Sequence, residues 1–213
     1  LLVAWQVAVA VLAIPVYILP SPVAVWQNLC SDYLAIAQHF YVTTTEVFWS
    51  LCCGCLLGFV VAVAMLFSST VASILQPMLI FSQCIPAFAV APIIVLWFGF
   101  GLFSKVLIAT LLVFFPVAIN TYDGFKQTPL DYINLATTMN STSIKIFQHV
   151  QLPAAMPMIA TGLKLAAVAA PVGAIIGEWS GANAGLGYLM LYYDRQMNIA
   201  GVFAVLFVLC LRS

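Results

Sequence analysis

The sequence predicts an all-α polytopic membrane protein, and three observations carry that expectation. Of 213 residues, 65% are hydrophobic and only 6% charged, against roughly 45–50% and about 25% in an ordinary soluble domain. Mean hydropathy is +1.15, so the outside of the fold must face something other than water. The charged residues are also spaced so widely that long neutral stretches separate them. Six basic and six acidic residues cancel to a formal charge of zero, which leaves no electrostatic footprint for nucleic acid.

Charge spacing places the spans in order. Residues 1–31 carry no charge and supply a span over 1–19, before Pro20-Ser21-Pro22. It begins on Leu1 with neither the Met nor the basic region of a secretory signal, and the stop on Ser213 just after a span predicts a chain trimmed at both ends. Between Glu46 and Lys105 lie 58 neutral residues. A helix needs about 20 apolar residues to cross the hydrocarbon, so this stretch holds two spans, 44–67 and 71–97, turning at Ser68-Ser69-Thr70. Further spans are expected over 105–122, over 157–177, where only Lys164 interrupts, and over 196–212, which makes six. Gly54 and Gly58, four apart, permit close helix approach. Pro86 and Pro92 in the third span, Pro116 in the fourth and Pro171 in the fifth each remove a backbone donor.

The substantial polar stretch, about 123–156, fixes the topology. Placed in the cytoplasm, it puts Lys126, Lys145, Lys164 and Arg212 inside and Lys105 and Arg195 outside, in keeping with the positive-inside rule. Both termini then lie in the cytoplasm, and Asp32, Glu46, Glu178 and Asp194 fall outside. Within the stretch, Asp131 is a good N-cap, and Ile133, Leu135, Ala136 and Met139 recur at helical spacing. Asn140 tolerates the left-handed turn that ends a helix. Ser141 to Ser143 can cap a second helix with Ile144, Phe147 and Val150 on one stripe, which Pro153 is expected to stop. Such a helix-turn-helix either rests on the membrane surface or docks a soluble partner.

Asn134-Leu135-Ala136, then Asn140, then Val150 and Leu152-Pro153, resembles the coupling loop of ATP-binding-cassette (ABC) importer permeases, whose pattern is E-A-A-x3-G-x9-I-x-L-P. Asn134 stands where the family has Glu, and Asn140 where it has Gly. The resemblance extends to Ile85-Pro86-Ala87-Phe88-Ala89, to Leu96-Trp97-Phe98-Gly99, to Leu152–Pro157, and to Gly177-Glu178-Trp179-Ser180-Gly181 with Gly185-Leu186-Gly187-Tyr188. Together these are similar to permeases of the nitrate, sulfonate and taurine importers, and most like the branch for pyrimidine precursors of thiamine such as hydroxymethylpyrimidine. The resemblance implies a single MetI-like permease domain over 1–213 in a bacterial inner membrane. It implies a second permease copy, a cytoplasmic ABC ATPase that holds the ATP and Mg, and a periplasmic or lipoprotein solute-binding protein. The chain itself would hold no cofactor.

Within that scheme, the segment from Asp131 to Val150 sits on the ATPase. Glu178 and Trp179, with Pro86 and Phe88, are the candidate solute-pathway residues. An ionisable group at such depth is a functional candidate, and an aminopyrimidine could stack on Trp179 and hydrogen-bond to a carboxylate. The plainer alternative is that Glu178 is solvated at the interface or holds the loop. Lys164 is expected to snorkel to the headgroups. No catalytic or metal site is expected: Cys52, Cys53 and Cys55 face different sides of a helix without a nearby His, Ser180 lies in no nucleophile motif, and no Walker sequence occurs. The alternative reading is a permease for a sulfonate, taurine or nitrate, and after it a secondary transporter.

Overall fold

The computed structural model describes residues 2–11, 15 and 17–212, and its described regular structure is entirely helical. Two short helices, α1 (Leu2–Val11) and α2 (Pro22–Ser31), precede α3 (Tyr33–Phe67), which runs for 35 residues. Next come α4 (Ser69–Gln83), α5 (Ala87–Phe98) and α6 (Leu102–Lys126). The polar stretch holds α7 (Leu130–Thr138) and α8 (Ser143–Ile146), and α9 (Leu152–Trp179), α10 (Leu186–Arg195) and α11 (Ile199–Arg212) follow.

Small residues decide which helices meet. Lipid is as apolar as leucine, so helices associate where backbones can approach closely. In α3 a Cβ on Gly58 would lie 2.9 Å from Val117 Cβ of α6, and one on Gly54 would lie 2.7 Å from Val113 Cβ. From the other side, a Cβ on Gly173 of α9 would come within 2.7 Å of Ala109 Cα, and one on Gly162 within 3.0 Å of the Pro116 carbonyl. Thus α6 is clasped between α3 and α9. Val47, Val113, Val117, Ala166, Ala170 and Ala174 fill the middle of this three-helix core.

Among the described residues, three helices are long and apolar enough to cross a membrane: α3, α6 and a continuous helix from Ser143 to Trp179. The count becomes four if α4 and α5 form one broken span; it does not reach the six expected from composition. The expected first span falls partly outside the described residues. The segment 71–97 is not one helix, because α4 and α5 are bent by 101° at the break between them. Pro86 is the cause: it disfavours helical backbone at Ile85 and, at φ −62° and ψ 122°, serves as the N-cap of α5. Pro86 therefore lies at a break and not inside a helix, whereas Pro92, Pro116 and Pro171 are all within helices. Ser68 makes the expected turn, its Oγ accepting from the Val71 N–H at 3.3 Å.

Pro153 does not stop the second helix of the polar stretch. Between α8 and α9 the chain takes one π-helical turn, Phe147–Gln151, and the Leu152 N–H reaches back to the Phe147 carbonyl. A proline inside an α-helix clashes with the carbonyl four residues earlier. Widening the turn to a five-residue step moves that carbonyl aside, so the helix continues through the proline. The result is a rod of 37 residues, about 55 Å long at 1.5 Å per residue, longer than the roughly 30 Å hydrocarbon layer.

Candidate functional site

Two features concentrate at opposite ends of the three-helix core. The first is the elbow formed by α7, the turn after it, and α8. Helix α7 starts at Leu130 with Pro129 as its N-cap, so Asp131 lies in the first turn and does not cap it. There its charge still favours the helix dipole. The C-terminus of α7 closes as a Schellman turn: the Ser141 N–H donates to the Ala136 carbonyl at 3.1 Å and the Asn140 N–H to Thr137 at 2.9 Å. Asn140 takes the left-handed conformation this turn requires, φ 59°, which Asn accepts more readily than other non-glycine residues. Thr142, the middle residue of the Ser141–Ser143 run, is the N-cap of α8, without a side-chain hydrogen bond.

Nothing in α7 or α8 is buried. Leu135 is 60% exposed, Met139 74% and Ile144 62%, and Asn134, Asn140 and Pro153 are also exposed. Ala136, Phe147, Val150 and Leu152 are half-buried. The Phe147 ring stands edge-on to Phe67 at the end of α3 and to Phe125 at the end of α6, both with centroids 5.6 Å away. This wedge ties the elbow to the core through the start of the long rod.

The second feature is a buried polar cluster at the other end. Glu46 of α3 is 0% exposed, Glu178 of α9 1% and Lys105 of α6 8%. Lys105 Nζ lies 3.0 Å from Glu46 Oε1 and donates to the Ala184 carbonyl at 3.3 Å. Glu178 accepts from Thr43 Oγ1 at 2.6 Å and from the Gly187 N–H. The Leu186 N–H donates to Thr43 Oγ1 at 2.8 Å, and the Gly185 N–H to His39 Nδ1 at 2.9 Å. The free donors that begin α10 are thus met by side chains of α3 and α9, with a carboxylate at the positive end of the helix. Gly185, at φ 121°, is required twice over: the backbone conformation is unfavourable for other residues, and a Cβ there would collide with the Glu178 carboxyl. Beyond the cluster, the Tyr193 hydroxyl donates to Asp32 Oδ2 at 2.7 Å. Burial, and then Asp32 beside it, push the Tyr193 phenol up, so it stays a donor.

The four candidate pathway residues are not brought together. Glu178 is buried within the cluster, holding the loop, and is not solvated. Trp179 is 42% exposed and donates its indole N–H to the Gly187 carbonyl at 3.1 Å. Pro86 lines a cavity of about 450 Å³ between α5 and α6, with Val90, Ile94, Ile108 and Phe115. Phe88 is exposed and outside that lining. Lys164 is exposed. Ser180 Oγ donates to the Ile176 carbonyl at 2.9 Å, whereas His39 faces Gly185. Sequence reasoning missed His39, Thr43, Glu46 and Lys105 as a site. One signal was present: Glu46 and Lys105 bound the longest neutral stretch, on the same side of the expected topology, and two opposite charges bordering one pair of spans have reason to meet.

Residues 54–212 match the model of a protein family described as binding-protein-dependent transport system inner membrane component. A probable ABC transporter permease protein of Haemophilus influenzae is 42% identical over 98% of this chain and 85% of its own length. The formylaminopyrimidine transport permease protein ThiX of Halalkalibacterium halodurans is 38% identical over 99% of this chain and 84% of its own. The riboflavin transport system permease protein RibX of Chloroflexus aurantiacus is 33% identical over 99% and 80%.

Proposed function

The chain belongs to the family of binding-protein-dependent transport system inner membrane components, and from that premise we propose that its elbow is the face on which a separate cytoplasmic ATPase docks. It is a multi-pass permease subunit of an ABC importer in the inner membrane and not an enzyme; ATP hydrolysis belongs to a separate subunit. Membership also implies a solute-binding protein as partner.

The observation that supports the elbow assignment is its exposed apolar side chains. Leu135, Met139 and Ile144 stand exposed in a segment otherwise rich in polar residues, with none of the described residues burying them. Exposed apolar groups rimmed by polar ones mark contact surfaces. Asn134, Leu135, Ala136, Met139, Asn140 and Ile144 meet the ATPase; Phe147, Val150, Leu152 and Pro153 join that surface to the rod. A push on the elbow passes into one unbroken helix whose last turn carries Glu178, so closure of the ATPase around ATP and Mg tilts the rod as a body. Two packings of nearly equal energy, biased by the partners, give alternating access. The elbow and both termini lie in the cytoplasm, the binding protein acts on the opposite face, and two copies enclose the pathway.

The solute is a small organic molecule of the aminopyrimidine type, a pyrimidine precursor of thiamine. Support comes from the relative whose name is formylaminopyrimidine permease, which matches across almost the whole chain.

Replacing Ala136 by Asp places a charge in the docking face without touching a span. Uptake of a labelled aminopyrimidine and co-purification of the ATPase are both expected to be lost, with membrane insertion intact. Wild-type uptake by that variant overturns the docking assignment, and competition by taurine but not by the pyrimidine overturns the solute.

A further inference from the structure

The buried cluster holds two acids and one base, and its hydrogen bonds do not close without one more proton. Lys105 gives its bonds to Glu46 Oε1 and the Ala184 carbonyl. Glu178 has donors on both oxygens, Thr43 on Oε1 and the Gly187 N–H on Oε2. Glu46 Oε2 is buried and meets no donor among the described residues. Thr43, which donates to Glu178, stands one helical turn before Glu46 on α3, so the two carboxyls face one pocket. Ionised carboxylates are acceptors only and cannot satisfy each other there, whereas a proton on Glu46 Oε2 makes it a donor.

Charge balance makes the same demand. With both acids ionised, one lysine leaves a net negative charge among side chains that are 0–8% exposed, and an unpaired buried charge is among the most destabilising features a fold can carry. Among the described residues, no other group facing the cluster relieves it. From α3 come Thr43 and His39, and His39 Nδ1 already accepts from the Gly185 N–H. From the end of α9 comes the Trp179 indole, whose hydrogen goes to the Gly187 carbonyl, and from the segment after it come backbone N–H groups and the Ala184 carbonyl. A single proton supplies the missing donor and cancels the excess charge.

We propose that Glu46 and Glu178 share one proton as a carboxylic acid and carboxylate pair, and that this proton keeps the Gly185–Gly187 segment closed over the ends of α3, α6 and α9. The pair titrates as a unit. When the proton leaves, two like charges face each other beside one lysine, and the repulsion is relieved by lifting the segment and letting water in. Closure of the segment and occupancy by the proton are therefore linked.

Infrared spectroscopy of the full chain in lipid nanodiscs reads the proton directly. At neutral pH the wild type is expected to show a carboxylic-acid C=O absorption that disappears in both Glu46→Gln and Glu178→Gln, because either change leaves one carboxylate to pair with Lys105. Absence of the absorption in the wild type, or its persistence in either variant, overturns the shared proton. Glutamine keeps the size and hydrogen bonding of a protonated glutamate, so the variants fold if the proposal holds. A second readout follows the loop that leads into the segment, through labelling of the half-buried Ala182→Cys in a background lacking the native cysteines. Raising the pH should increase labelling in the Glu46 form relative to the same protein carrying Glu46→Gln, by up to about tenfold per unit for one linked proton. An identical pH dependence in the two overturns the latch.

Discussion

The two ends of the α3–α6–α9 bundle are separated by the twenty residues from Lys105 to Phe125, about 30 Å along α6, and they are built on opposite principles. At the elbow, apolar side chains are left outside and the local structure is held by its own turn chemistry. At the cluster, charged side chains are brought inside and held by partners distant in sequence, such as Thr43 and Glu178, 135 residues apart. The first arrangement suits a surface that waits for another protein; the second suits a fixed joint. A single rod, Ser143–Trp179, runs between them, so movement imposed at the free end is delivered to the fixed one.

Mutations separate the two principles by the size of their effects. Lys105→Met removes the one cation from a cluster with two acids and should destabilise the fold by about 3–5 kcal/mol, the range for breaking a buried ion pair. Thermal unfolding in detergent is the check, and an unchanged midpoint would mean that the charged end is not the joint described. Phe147→Ala, which removes the wedge between Phe67 and Phe125, should be smaller, about 2 kcal/mol for a half-buried aromatic. It should also lower transport further than its loss of stability explains, because the elbow is no longer braced against the core. Asn140→Ala forces a left-handed backbone on alanine and should lose about 1 kcal/mol, whereas Asn140→Gly should be neutral or slightly stabilising. If alanine and glycine behave alike there, the turn does not depend on the left-handed residue.

The difference between the ends also explains what could be read in advance. The elbow was legible because its structure is local: the apolar spacing from Ile133 to Met139, the left-handed tolerance of Asn140 and the polar run before Ile144 all act within a few residues. The exception is Pro153, whose usual meaning as a helix stop gave way to a π turn, an accommodation that no sequence rule specifies. Gly54 and Gly58 announced a close helix approach because their spacing is helical, and the fold shows the partner to be α6. The cluster was not legible as a unit, since periodicity says nothing about which distant helices meet. Glu178 drew attention as an ionisable group at depth, and its role in holding the loop was one of two plain alternatives. That Gly185 and Gly187 are small so that the chain can lie against its carboxyl required the fold. Composition measures apolar length and not its shape: the break at Pro86 turns the run 71–97 into two short helices at a steep angle.

The central claim is that the elbow, and not the cluster end, receives the ATPase. A photo-crosslinking side chain placed at Met139, and separately at Ala182, in the assembled transporter tests it most directly. An adduct with the ATPase from position 139 and none from position 182 is the expected result. An adduct from 182, or none from 139 in a complex that hydrolyses ATP, would contradict it.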